Sequence, residues 1–280
     1  QVAAMETNDL AVLKKGHWDA FSTSQIQALS TDQISSLKRA QVTLLSTTAV
    51  SALTTDQIAA MNASRLQSLT SQQIAALTTD QLNALTTDQL VSLRPDQVSD
   101  ISASRFGALS TDQVNALTAS QLSRLTTAQL NALDASHLSA VSTSGLGGLS
   151  SAQLRALTTD QIQTFSTDQV AALSAGQVRA FTTAQVAALT TAQMQALSTD
   201  QFKSLGASQV GALTTDQVQA VSSDQLRAID QRNVSALSTA ALAALSTGQM
   251  AGWSARQMAS MTTDQLQALG AANIAALDTA

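Results

Sequence analysis

The chain has 280 residues, 44% of them hydrophobic but only 2% aromatic, with 12% charged and a net charge of −5. That balance gives no electrostatic footprint for nucleic acid or an anionic bilayer. The absence of cysteine excludes disulfides, thiolate metal sites and thiol nucleophiles. No run of 18 or more apolar residues exists, so membrane insertion is not expected.

The chain opens with METNDLAV and LKKGHWDA, residues 5–20, the first two units of an eight-residue register. Writing the octad abcdefgh with Met5 at a, position a recurs from 5 to 277 without insertion or deletion, and is always Leu, Met, Phe, Ile, Val or Trp. Every f residue, from Val2 to Ile274, is also large and apolar. All aromatics and all methionines lie at a or f, which reads them as core. The first two octads are degenerate, with Glu6 and Lys14 at b, so residues 1–20 are expected to form an N-terminal cap and 21–280 a continuous run.

From residue 22 the pattern is regular. A continuous helix cannot hold it, because eight residues at about 100° each would wind the apolar stripe around every face. A strand fares no better, since a and f would lie on opposite sides. Position b is Ser, Thr, Asp or Asn in 29 of 35 octads and e is Gln in 25 of 35. Ser or Thr followed three residues later by Gln is a capping box, in which each side chain satisfies the other residue's backbone N–H. Asp occupies d twelve times, at the positive end of the helix so started. The only proline, Pro95, stands at c, the first helical position. A short helix therefore restarts every eight residues. Ordering one octad costs more than burying its two apolar side chains returns, so octads must stack. The predicted fold is an all-α superhelical solenoid of about 34 very short capped helices running from c to the next a, with a and f buried and g exposed.

Two longer recurrences overlie the octads. Non-leucine a residues recur every 40 residues, at Phe21, Met61, Ile101, Val141, Phe181, Val221 and Met261. The octads MNASRLQS (61–68) and ISASRFGA (101–108) match further. Five octads are thus either a duplication unit or the span after which the superhelix repeats its environment. The g residues Arg155, Arg179, Lys203 and Arg227 recur every 24 residues. They would form a stripe only if three octads made a turn, which conflicts with the five-octad recurrence.

The octad L-[ST]-T-x-Q-[ILV]-x-A resembles the short tandem repeats of large bacterial secreted or surface-attached proteins. It is more loosely similar to the LTPEQ-like units of the mesothelin and stereocilin group, which have Pro where this chain has Thr, except at Pro95. The resemblance implies a repeat scaffold, secreted or at the cell surface, with a cytoplasmic location as the alternative. It carries no catalytic residue across.

No chemistry is expected. His17 and His137 occupy e, where each reads as a capping-box substitute, and neither has companions with metal-ligand spacing. Single carboxylates eight residues apart do not make a calcium loop, and no Ser/His/Asp arrangement can be assembled. The expected set is therefore no catalytic, cofactor-binding or metal residues, no cofactor and no small-molecule substrate, with proteins or other copies of the chain as partners. The expected function is a non-enzymatic rod or spacer within a larger secreted or surface-associated assembly. The alternatives are a protein-binding α-solenoid, for which 61–68, 101–108 and 227–233 supply irregular surface, and a threonine array that orders water or ice. The octad VSTSGLGG (141–148) lacks the capping Gln and carries three glycines, so a hinge is expected there.

Overall fold

In the computed structural model, which describes residues 1–277, the chain is all-helical: one 3₁₀ turn, Val2–Ala4, and 34 α-helices of four to seven residues, with no strand among the described residues. The helices start at c and most end at g or h, not at a. At the end of helix Thr47–Ala52, Leu53 already has extended backbone (φ −56°, ψ 141°), and its N–H donates to the Val50 carbonyl at 3.2 Å. The next residue, Thr54, is extended too (φ −73°, ψ 163°) before helix Thr55–Ala59 begins. Where a helix ends at h, the corner is two extended residues, a and b, and no described residue has a positive φ.

The capping boxes form as the register predicts. The Thr54 N–H donates to Gln57 Oε1 at 2.8 Å, and the Gln57 N–H donates to Thr54 Oγ1 at 3.2 Å. Pro95 opens helix Pro95–Asp100 at its first position.

The chain forms two compact units, residues 1–148 and the residues from 149 on. Within each, helices pack on the helix three octads further along. In the first unit Thr31–Ser36 packs on Thr55–Ala59, which packs on Thr79–Asn83. In the second, Thr167–Ala172 packs on Thr191–Ala196, which packs on Thr215–Ala220. One turn is thus 24 residues, a three-sided coil. The 40-residue recurrence does not correspond to a turn: residues 40 apart are five helices apart and fall on different sides. The 24-residue recurrence of basic residues is the one the geometry follows.

The core is built from a and f along the whole register, but the two have different duties. At the start, Leu10, Trp18 and Ile26 at f are at most 1% exposed while Met5, Leu13 and Phe21 at a are only half-buried. In the last turn the pattern reverses: Trp253, Met261 and Leu269 at a are buried, whereas Leu266 and Ile274 at f are 42% and 48% exposed. Position a therefore packs against the preceding turn and f against the following one. Among the described residues, those at g are never buried.

Candidate functional site: a glutamine ladder and a basic strip

The e glutamines do more than cap. Gln57 accepts through Oε1 within its own helix, while its Nε2 donates to the Ile26 and Leu29 carbonyls at 2.9 and 2.6 Å. Those carbonyls lie at the end of helix Thr23–Gln27, in the turn before. The geometry recurs: Gln97 to Leu66 and Leu69 at 3.0 and 2.9 Å, Gln185 to Leu154 and Leu157 at 2.8 and 2.7 Å, Gln217 to Val186 and Leu189 at 2.8 and 2.7 Å. A helix end leaves carbonyls without intrahelical partners, and here one buried amide satisfies two of them while starting the helix above. These residues are nearly solvent-free, Gln97 at 0%.

Several substitutions at e keep an inter-turn donor, whereas Ala49, Gly145 and Ala241 supply none. Arg65 Nε donates to the Leu37 carbonyl at 2.6 Å, Asn233 Nδ2 to Leu205 at 2.9 Å and Asn273 Nδ2 to Leu245 at 2.9 Å, while an Arg105 guanidinium N–H reaches the Ala75 carbonyl. The match of 61–68 and 101–108 extends to this contact: both replace Gln by Arg, and each Arg reaches a carbonyl of the turn before, Leu37 at a for Arg65 and Ala75 at g for Arg105.

The two histidines divide the glutamine's work between them. His17, in the first turn, is a capping-box substitute: its Nδ1 accepts from the Lys14 N–H at 3.2 Å. His137 is not. Its Nε2 lies 2.7 Å from the Leu109 carbonyl, the inter-turn contact, and its Nδ1 stands 2.8 Å from Asp134. Asp134 accepts the His137 backbone N–H at 3.0 Å, and that bond holds its carboxyl below the ordinary value. No group of three or more His, Cys, Asp or Glu that could hold a metal occurs among the described residues. No helix among them is long and apolar enough to cross a membrane.

The surface is less uniform than the octad suggests. Some g side chains donate upward to the h carbonyl one turn on, as Gln163 does to Ala188 at 2.9 Å and Arg155 Nε does to Ala180 at 3.0 Å. The four basic g residues line up one per turn. Arg155 and Arg179 share an open cleft with Phe181 and Gly206. Arg179 and Lys203 share the next with Arg232, and Lys203 and Arg227 a third with Arg232 and Arg256. At 227–233 Asp230 binds Arg232 at 2.6 Å, and the guanidinium's hydrogen bond holds the Asp230 carboxyl at about 2.

Sequence reasoning missed the inter-turn half of the glutamine. A signal was present: a capping box accepts Glu as readily as Gln, yet no e position holds Glu. Only a residue with donors can reach the carbonyls below.

These features define a class, an α-solenoid of octapeptide repeats with three helices per turn. The ALTTAQ repeat pattern matches residues 2–39, 64–102, 130–167, 140–175, 165–199 and 191–223, more than half of the chain, and the chain belongs to the ALTTAQ repeat family. No curated protein matches it.

Proposed function

We propose that this chain is a non-enzymatic structural repeat module, a rod or spacer within a larger secreted or surface-associated assembly. Residues 1–20 would be its cap and 141–148 its hinge. The observation that carries this reading is the glutamine ladder: in each unit the same pair of inter-turn bonds joins successive turns, so turns can be added without any new interaction. The resemblance of the octad to the repeats of large bacterial secreted and surface-attached proteins supports the location, and the more distant likeness to LTPEQ-like units supports a scaffold.

The test uses the full-length gene product. Deleting residues 53–124, three whole turns, should shorten the separation of the flanking segments and leave folding and export intact. Replacing exposed d and g side chains by Ser or Ala, outside the columns Asp32–Asp56–Asp80 and Arg155–Arg179–Lys203–Arg227, should leave assembly unchanged. Assembly lost in the second variant and kept in the first would make the module a binding scaffold instead. The basic strip is the observation that favours that second reading.

A further inference from the structure

All the Lys and Arg residues from 149 onward, Arg155, Arg179, Lys203, Arg227, Arg232 and Arg256, fall on one continuous strip. The four at g are exposed, and none of them forms an ion pair among the described residues. Of the six, Arg232 alone does so there, with Asp230. Six cations gathered along one edge, with Asp230 the carboxylate paired among them, in a chain whose net charge is −5, are a positive field that a partner of opposite charge would neutralise.

The first unit carries a counterpart. Asp32, Asp56 and Asp80 are d residues spaced 24 apart, hence one per turn on a single side. All three are exposed and none forms an ion pair among the described residues. Because both columns are set by the same octad stacking, their charges recur with the same rise, about 8–10 Å, the separation of packed helices. Two columns of opposite sign and equal pitch can pair charge for charge, the three carboxylates against three successive cations of the four. A partner built on any other repeat would match at one charge and miss at the next.

We propose that a second copy of the chain docks its Asp32–Asp56–Asp80 column along the Arg155–Arg179–Lys203–Arg227 strip, joining copies side by side. The contact is between unlike surfaces, so it can extend beyond a pair unless the geometry closes it. It is electrostatic and exposed, so it weakens as the Debye length falls from about 10 Å at 0.1 M salt to about 3 Å at 1 M. The inference rests on the two columns and stands whether or not the module serves as a spacer.

The test is the sedimentation of the whole chain across a salt series, with helicity checked by circular dichroism. The wild type should associate at low salt and become monomeric at high salt. R155E/R179E/K203E/R227E and D32K/D56K/D80K should each be monomeric at low salt. An equimolar mixture of the two should associate again, because each then offers a column the other can meet. A wild type that is monomeric at every salt concentration would overturn the proposal, as would association that survives either reversal. A monomeric wild type that captures polyglutamate, with capture lost in the Arg/Lys→Glu variant, would also overturn it and make the strip a site for a different acidic chain.

Discussion

A single buried amide at e shows how much one residue type can decide in this fold. Gln97 accepts the Arg94 N–H at 2.9 Å and donates to two carbonyls of the turn before. Truncation to Ala would leave all three partners without it, at a cost of about 2–4 kcal/mol. Gln97→Glu keeps the acceptor and loses both donors, turning a carboxylate toward two carbonyl oxygens. Burial and those oxygens would raise its folded pKa above the unfolded value of about 4.3. The deficit should then be smallest below that unfolded value, where the protonated acid regains one O–H donor, and grow as pH rises through the folded pKa. Thermal melts of both variants between acidic and neutral pH check this, and a melting temperature of the Gln97→Glu variant that does not change with pH would refute the geometry. Asp230 runs in the opposite sense. Its carboxyl is lowered from 3.8 to about 2 by Arg232, so the pair supports the fold above the ordinary value and is lost as pH falls toward about 2. Arg232→Ala should raise the Asp230 titration toward the ordinary carboxylate range but not fully into it, because the residue 232 N–H still donates to Asp230, as carboxyl NMR would read.

At the scale of the octad, burial and close approach set which changes are tolerated. Leu117 is 3% exposed at a, and Leu117→Asp would bury a charge at a cost of several kcal/mol, roughly 3–5. The neighbouring g residue is exposed, and Asn115→Asp should leave the melting temperature nearly unchanged. Glycines divide the same way. A Cβ on Gly107 would stand 2.5 Å from the Ala132 carbonyl oxygen one turn on, so Gly107→Ala should destabilise by about 1–3 kcal/mol. A Cβ on Gly248 meets nothing within 4 Å, and Gly248→Ala, inside helix Thr247–Ala251, should stabilise by about 0.5–1 kcal/mol. Comparable melts for the two glycine variants would refute this account. The octad itself was legible in the sequence, because the cap at b, the Gln at e and the apolar a and f are local signals with fixed spacing. What was not legible is how octads meet. Three helices per turn follow from the angle of a corner made of two extended residues, which no residue type announces. Hence the 40-residue recurrence competed with the 24-residue one, and the basic column was visible in sequence as Arg155, Arg179, Lys203 and Arg227 without its geometry.

Within each unit, a stack of turns, stability is expected to be local, because each turn touches only the turns before and after it. The half-buried Met5, Leu13 and Phe21 and the exposed Leu266 and Ile274 lie in turns that pack on a single neighbouring turn among the described residues. Amide exchange should be fastest in those turns and slowest in the interior of each unit. Octad 141–148 is the sharper case, because two effects oppose each other there. Gly145 has no side chain to reach the carbonyls of Val114 and Leu117, so the inter-turn bonds that Gln supplies elsewhere are missing. Helix Thr143–Leu146 is only four residues long, and Gly145 costs about 0.8–1 kcal/mol relative to Ala. Against this, Cβ atoms on Gly145 and Gly148 would stand 2.7 Å from Leu122 Cδ1 and 2.4 Å from the Ala119 carbonyl oxygen, so the glycines permit a closer approach than any other residue could. The lost bonds to two buried carbonyls are worth about 1–3 kcal/mol, more than ordinary packing around a missing methyl returns. Exchange should therefore be some ten-fold or more faster at 141–148 than at 77–92, where Gln81 and Gln89 both reach the turn before. Equal protection of the two segments would mean that close packing compensates in full, and that no hinge is built into the glycine octad.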